Sequence, residues 1–152
     1  MKKSIILASG SPRRRELLAM LFDEFEVIVS DCEETVTSQD PEKVTEELAL
    51  QKAEAVAENL PRHTDSVIVI GADTVVSIDG KILGKPADQQ QAVDMLRMLS
   101  GKSHHVSTGV ALSGMDAGVQ TWIKSFSETT VVTVAELTEE EINSYVNTNE
   151  PY

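Results

Sequence analysis

Ser66-Val67-Ile68-Val69-Ile70 is almost wholly apolar and rich in β-branched residues. A strand of that composition belongs in a sheet covered on both faces, because a half-solvated strand would alternate. This run points to an α/β fold with helices as the cover. The rest of the chain fits a mixed sheet. Ser4 to Ala8 reads as a strand, and Ser11 with Pro12 starts a helix with Leu17, Leu18, Leu21 and Phe22 at helical spacing. Phe25 to Ser30 reads as a second strand, followed by the acidic loop Asp31-Cys32-Glu33-Glu34. Asp40-Pro41 opens a second helix, with Leu48, Ala53, Val56, Ala57 and Leu60 as its apolar stripe. Gly71-Ala72-Asp73-Thr74 stands at the end of the buried strand, and Val75 to Ile78 continues extended. Asp79-Gly80 then signals a hairpin whose return strand holds Ile82 and Leu83.

Asp88 with Gln91 predicts a capping box for a helix through Leu99. Two strands, Val106–Leu112 and Trp122–Val134, are expected to turn at Ser113-Gly114-Met115-Asp116. Thr138 with Glu141 caps the last helix, and Leu137 with Ile142 forms its hydrophobic staple. A chain of 152 residues suits one domain, or two small lobes sharing a core.

The net charge of −12 argues against binding to a nucleic acid polymer or an anionic membrane face. The apolar run Ile5 to Ala8 is far shorter than a signal core or a membrane span. One cysteine, Cys32, allows no intrachain disulfide, so a reducing compartment and a cytoplasmic protein are expected. Charge is uneven along the chain. Residues 1–20 carry net +4, whereas residues 23–60 carry net −10. The N-terminal basic island is either a solvated helix face or an anion site.

Four clusters could carry chemistry. Ser9-Gly10-Ser11-Pro12-Arg13-Arg14 joins a strand to a helix start, where the dipole, two hydroxyls and two guanidiniums suit a phosphate. An ordinary capped helix with surface arginines is the competing reading. Asp73 follows the buried strand, where a carboxylate can be a general base, a metal ligand or a turn cap. Gly84-Lys85-Pro86 could aim an ammonium at a phosphate, a weak signal alone. Glu33-Glu34 with Lys52 could share a hard cation with phosphates, or be surface charges. His104 and His105 are adjacent on a strand and point to opposite faces, so they cannot share one metal ion. Trp122 reads as a packing residue.

These segments, with Glu16-Leu17-Leu18, Gln51-Lys52-Ala53, Met95-Leu96 and Leu99-Ser100-Gly101, resemble the Maf family of nucleotide pyrophosphatases. The resemblance runs along the whole chain. It implies a mixed, twisted α/β sheet in two lobes around a cleft, like the inosine triphosphate pyrophosphatases. It implies cleavage of a nucleoside triphosphate to the monophosphate and pyrophosphate with Mg or Mn. By the same resemblance Asp73 accepts the proton of the attacking water. Arg13, Arg14, Lys52 and Lys85 hold phosphates, Ser9 and Glu34 line the site, and Glu34 with Asp73 serves the metal. Substrate selection falls at Arg13 and Thr74. Ala72-Asp73-Thr74 looks like the dTTP/UTP subgroup, since the 7-methyl-GTP subgroup has Ser-Asp-Gln there. The family also implies a homodimer. Its members continue past Pro151-Tyr152, so residues 1–152 are expected to form one Maf-like domain, truncated at its C-terminus. The alternative function is a nucleotide-binding regulator of septum formation or cell division without turnover.

Overall fold

The structure, a computed structural model, describes residues 4–29, 34–60, 66–84 and 86–147. Cys32, Glu33, His63, Lys85 and the Pro151-Tyr152 ending lie outside the described residues. The elements are β1 (Ser4–Leu7), α1 (Pro12–Ala19), β2 (Glu26–Val27), α2 (Pro41–Ala57), β3 (Val67–Ile78), β4 (Lys81–Leu83), α3 (Gln89–Leu99), β5 (Ser103–Asp116), β6 (Val119–Thr133) and α4 (Glu139–Val146). One mixed sheet runs in the order β2-β1-β3-β5-β6, with β4 paired to β3. β1 is parallel to both β2 and β3, in register from Ser4↔Val67 to Leu7↔Ile70. β4 is antiparallel to β3.

That order fixes where the helices go. The chain steps from β1 to β2 in one direction, then from β2 past β1 to β3 in the other. Right-handed crossovers therefore put α1 and α2 on opposite faces of the sheet. This double cover is what the apolar run at Val67–Ile70 demands.

The chain forms two compact units, Met1–Thr74 with Thr108–Glu128 and Val75–Ser107 with Thr129–Tyr152. The core of the first joins Ile6, Ala8, Val67 and Val69 of the sheet to Ala49, Ala53, Val56 and Ala57 of α2, with Ala111 and Met115 of β5. Small residues let α2 lie close. A Cβ on Gly71 would overlap the Ala49 carbonyl oxygen and crowd the Ala53 nitrogen, and a Cβ on Gly109 would overlap the backbone at Thr45–Glu46. Both glycines are required for proximity, not for backbone freedom. In the second unit α3 and α4 bury Ala92, Val93, Ile142 and Val146, with Leu96 and Leu137 beside them. Arg97 forks across to Glu139, Nε to Oε1 at 3.0 Å and Nη2 to Oε2 at 2.8 Å.

Several boundaries differ from the sequence reading. β2 is only Glu26–Val27, and α1 ends at Ala19, so Leu18 is buried while Leu17 and Leu21 are exposed. Gly71–Thr74 does not end a strand; β3 runs through it to Ile78. The β5–β6 turn is not at Ser113–Asp116 but at Ala117-Gly118, both with positive φ of 52° and 79°. Gly114 instead makes room for the Trp122 ring, which its Cβ would overlap. Asp79-Gly80 is the turn expected, with φ of 51° and 77°. The Thr138/Glu141 box is reciprocal. At Asp88 only half of one forms: Asp88 accepts from Gln91 N–H, but Gln91 Oε1 takes the Ala87 N–H. His104 is buried and His105 exposed, as alternation requires. No helix among the described residues is long and apolar enough to cross a membrane.

Candidate active site

β1 and β3 pair only as far as Leu7 and Ile70. The Ala8 N–H closes the ladder on the Ile70 carbonyl at 2.8 Å. Beyond that point β1 gives way to the Ser9–Ser11 turn, while β3 continues alone on that edge. Hydrogen-bonding groups on a strand edge recur every second residue, so the next carbonyl pointing into the gap is that of Ala72. The gap lies at the carboxyl end of β1, where the chain turns away toward β2. In open α/β sheets such a switch point is where ligands bind.

The gap is furnished from both faces. Val67, Val69, Gly71 and Asp73 share one side of β3, the side that α2 covers. Lys52, in the same turn of α2 as Ala49 and Ala53, sends its Nζ to Asp73 Oδ1 at 2.7 Å and toward the Ala72 carbonyl at 3.5 Å. Both groups are largely buried, with side-chain exposures of 19% and 14%, so the pair is screened far less than a surface pair. Glu34 Oε1 approaches the same ammonium at 3.7 Å. Its loop is held on α2 by two side chains one turn apart. Gln51 donates to the Thr35 carbonyl at 2.6 Å and accepts its N–H at 2.9 Å. Glu47 accepts the Thr37 N–H at 3.1 Å.

From the other face comes α1. Ser11 caps it by accepting the Arg14 N–H at 3.3 Å, and Pro12 takes the first position. Ser9, 7% exposed, accepts the Ser11 N–H at 3.1 Å, which fixes the turn. Arg14 then reaches across to β3. Nη1 donates to the Ala72 carbonyl at 3.0 Å and Nη2 to Thr74 Oγ1 at 3.1 Å. Burial pushes the guanidinium below its ordinary value, and the charge of Asp73 offsets part of that. Arg13 is exposed and makes no ion pair with a described residue.

Arg14, Glu34, Lys52, Asp73 and Thr74 are thus brought together in the first unit, and Ser9 stands in the turn that follows β1. Arg13 stands at the mouth of the turn, and Lys85 lies outside the described residues. Arg14 is committed to β3 rather than left free. Thr108 on β5 was not singled out from sequence, yet its hydroxyl lies 3.1 Å from that of Thr74. Gln51 stood in the sequence only as part of the Gln51-Lys52-Ala53 segment and Glu47 went unmarked, although the two are spaced to face the same way on a helix. Asp73 Oδ1, Glu34 Oε1 and the Ala72 carbonyl converge on one ammonium. An oxygen set with one or two carboxylates fits a hard dication that takes its remaining ligands from phosphates and water. Among the described residues no three His, Cys, Asp or Glu side chains cluster for a metal.

Comparison with known proteins gives the family. Residues 4–152 match the family described as Maf-like protein. The chain is 51% identical over 150 residues to the dTTP/UTP pyrophosphatase of Bacillus cereus (strain G9842), covering 98% of this chain and 74% of that one. The dTTP/UTP pyrophosphatase of Bacillus anthracis is also 51% identical over 150 residues, with the same two coverages. Among solved structures, the Ham1 protein of Staphylococcus aureus superposes with a TM-score of 0.57 at 21% identity, over 89% of this chain and 73% of that one. The Ham1 protein of Coxiella burnetii gives 0.56 at 16%, over 90% and 75%. At those identities the two structures speak for the fold alone. The match across 4–152 and the half-identical relatives settle the family: this chain belongs to the Maf family.

Proposed function

We propose that the chain is a pyrophosphatase that hydrolyses dTTP and UTP, with modified pyrimidine nucleotides, to the monophosphate and pyrophosphate. The observation that carries this reading is the buried Asp73–Lys52 pair at the end of the β1/β3 ladder. Water adds across the α–β anhydride bond, its oxygen going to phosphorus and its proton to Asp73, and pyrophosphate leaves. Phosphoryl chemistry of this kind needs charge neutralisation more than a strong protein nucleophile. Lys52 and the exposed guanidinium of Arg13 supply cations for the phosphates, and Arg14 and Lys85 are assigned the same task. Ser9 offers a hydroxyl beside the turn, and Thr74 with Arg13 is assigned to substrate selection. Glu34 and Asp73 would hold Mg or Mn, which when bound supplies further neutralisation at the phosphate oxygens. The half-identical dTTP/UTP pyrophosphatases support the choice of nucleotide. Cytoplasmic action and a homodimer belong to the same proposal; the single cysteine supports the first, and the family resemblance the second.

Asp73→Asn tests the assignment. Asparagine keeps the shape but accepts no proton, so turnover falls by about 10²–10⁴-fold while nucleotide affinity by calorimetry stays near wild type. A variant that kept more than about a tenth of the wild-type rate would remove Asp73 from the role of base.

A further inference from the structure

Arg14 folds back onto β3 instead of pointing into open solvent. Its two Nη atoms bracket Asp73, one on the carbonyl of residue 72 and one on the hydroxyl of residue 74. An arginine only donates, so the bond to Thr74 uses an oxygen lone pair and leaves the Thr74 proton unassigned. Thr108 on the neighbouring strand lies 3.1 Å from that same oxygen. With Thr108 in place, Thr74 has a partner for its remaining capacity and a reason to keep one rotamer. Thr74 is exposed and Thr108 half-buried. Without that partner water would compete for the Thr74 hydroxyl.

We infer that Thr108 is a positioning residue, holding Thr74 so that Arg14 braces β3 on both sides of Asp73. The inference rests on the proposed hydrolysis, with Asp73 as base. β3 needs such a brace because it has lost β1 as a neighbour at this point. The Asp73 carboxylate is fixed by Lys52 on the α2 face, and Arg14 with Thr74 and Thr108 secures the backbone from the opposite face. Displacements of about 1 Å in catalytic groups cost up to about a hundredfold in rate, so slack in this segment is expressed in kcat. Arg13 and Lys52 do not depend on the Thr108 hydroxyl, so their hold on the phosphates is spared.

The test compares wild type, Thr108→Val and Thr108→Ser. Valine keeps the branched shape and removes the hydroxyl; serine keeps the hydroxyl. With dTTP, UTP and Mg, valine should lower kcat by about tenfold with KM within about twofold, and serine should restore most of the rate. Melting temperatures of all three should agree. Nitrogen-15 spectra of the guanidiniums give a readout independent of turnover. Arg14 should show separate, slowly exchanging Nη protons in wild type and in the serine variant, and averaged signals in the valine variant. Arg13 should be averaged in all three. Unchanged kcat and unchanged Arg14 signals in the valine variant would overturn the inference. So would a rise in KM alone, which would assign Thr108, directly or through Thr74, to substrate binding in place of the brace, or a serine variant as impaired as valine. If wild type turned over no nucleotide, the proposed activity would fall, and the Arg14 spectra would still decide whether the brace exists.

Discussion

Two adjacent arginines have different surroundings, and charge alone does not make them equivalent. Arg13 is exposed, whereas Arg14 is half-buried and bonded to β3. Arg13→Ala should therefore weaken binding of the triphosphate by roughly 1.5–3 kcal/mol, the worth of a charge-assisted bond. The loss should shrink as salt rises, because the contact is solvent-exposed. Calorimetry of dTTP binding at two ionic strengths checks this; an affinity equal to wild type at low salt would place the phosphates elsewhere. Sequence marked both arginines, because a Ser-Gly-Ser-Pro turn followed by paired guanidiniums is a recognisable phosphate-binding pattern. It could not separate them. Which one folds back onto Ala72 and Thr74 depends on α1 and β3 meeting across 58 and 60 residues of chain. Thr108 went unnoticed for the same reason, since a threonine in a strand is ordinary until its neighbour is known.

At the scale of elements, the distance between α2 and the sheet decides whether Lys52 meets Asp73. Gly71 and Gly109 set that distance. Gly71→Ala should destabilise the fold by about 1–3 kcal/mol, because a methyl must push helix backbone rather than a flexible side chain. Urea unfolding measures it, and a stability equal to wild type would mean that α2 moves freely on the sheet. A second prediction concerns α3 and α4. The fork from Arg97 holds the Glu139 carboxyl below its ordinary value and raises the Arg97 guanidinium. A carboxyl lowered in the folded state stabilises above its unfolded value, and the effect is lost as pH falls through the folded one. Arg97→Met should thus melt earlier than wild type at neutral pH and low salt, with the gap closing as the carboxylate protonates. A gap that persisted at acid pH would assign it to packing. Helix starts were legible here, since Asp40, Asp88 and Thr138 all serve as N-caps, although the Gln91 half of the box at Asp88 does not form. Strand ends were not. The Ala117-Gly118 turn carries an alanine at positive φ, which gives no local signal, while Gly114 mimics a turn residue but serves Trp122.

At the scale of the molecule, the apolar run at Val67–Ile70 and the alternation of strands and helices were enough to give a mixed α/β sheet. The exact strand order was not written locally, because β1 sits between β2 and β3 only through two crossovers of opposite direction. That order creates the gap at the end of β1, and the gap gathers residues from positions 14 to 108 around one carboxylate. The central claim is that this gathering hydrolyses pyrimidine nucleoside triphosphates at the α–β bond. The most direct measurement is product analysis and kcat/KM with Mg for dTTP, UTP, ATP and GTP. The account predicts monophosphate and pyrophosphate in equal amounts, with dTTP and UTP turned over in preference to the purine nucleotides. Orthophosphate in place of pyrophosphate, or binding of dTTP and UTP with no product, would contradict it.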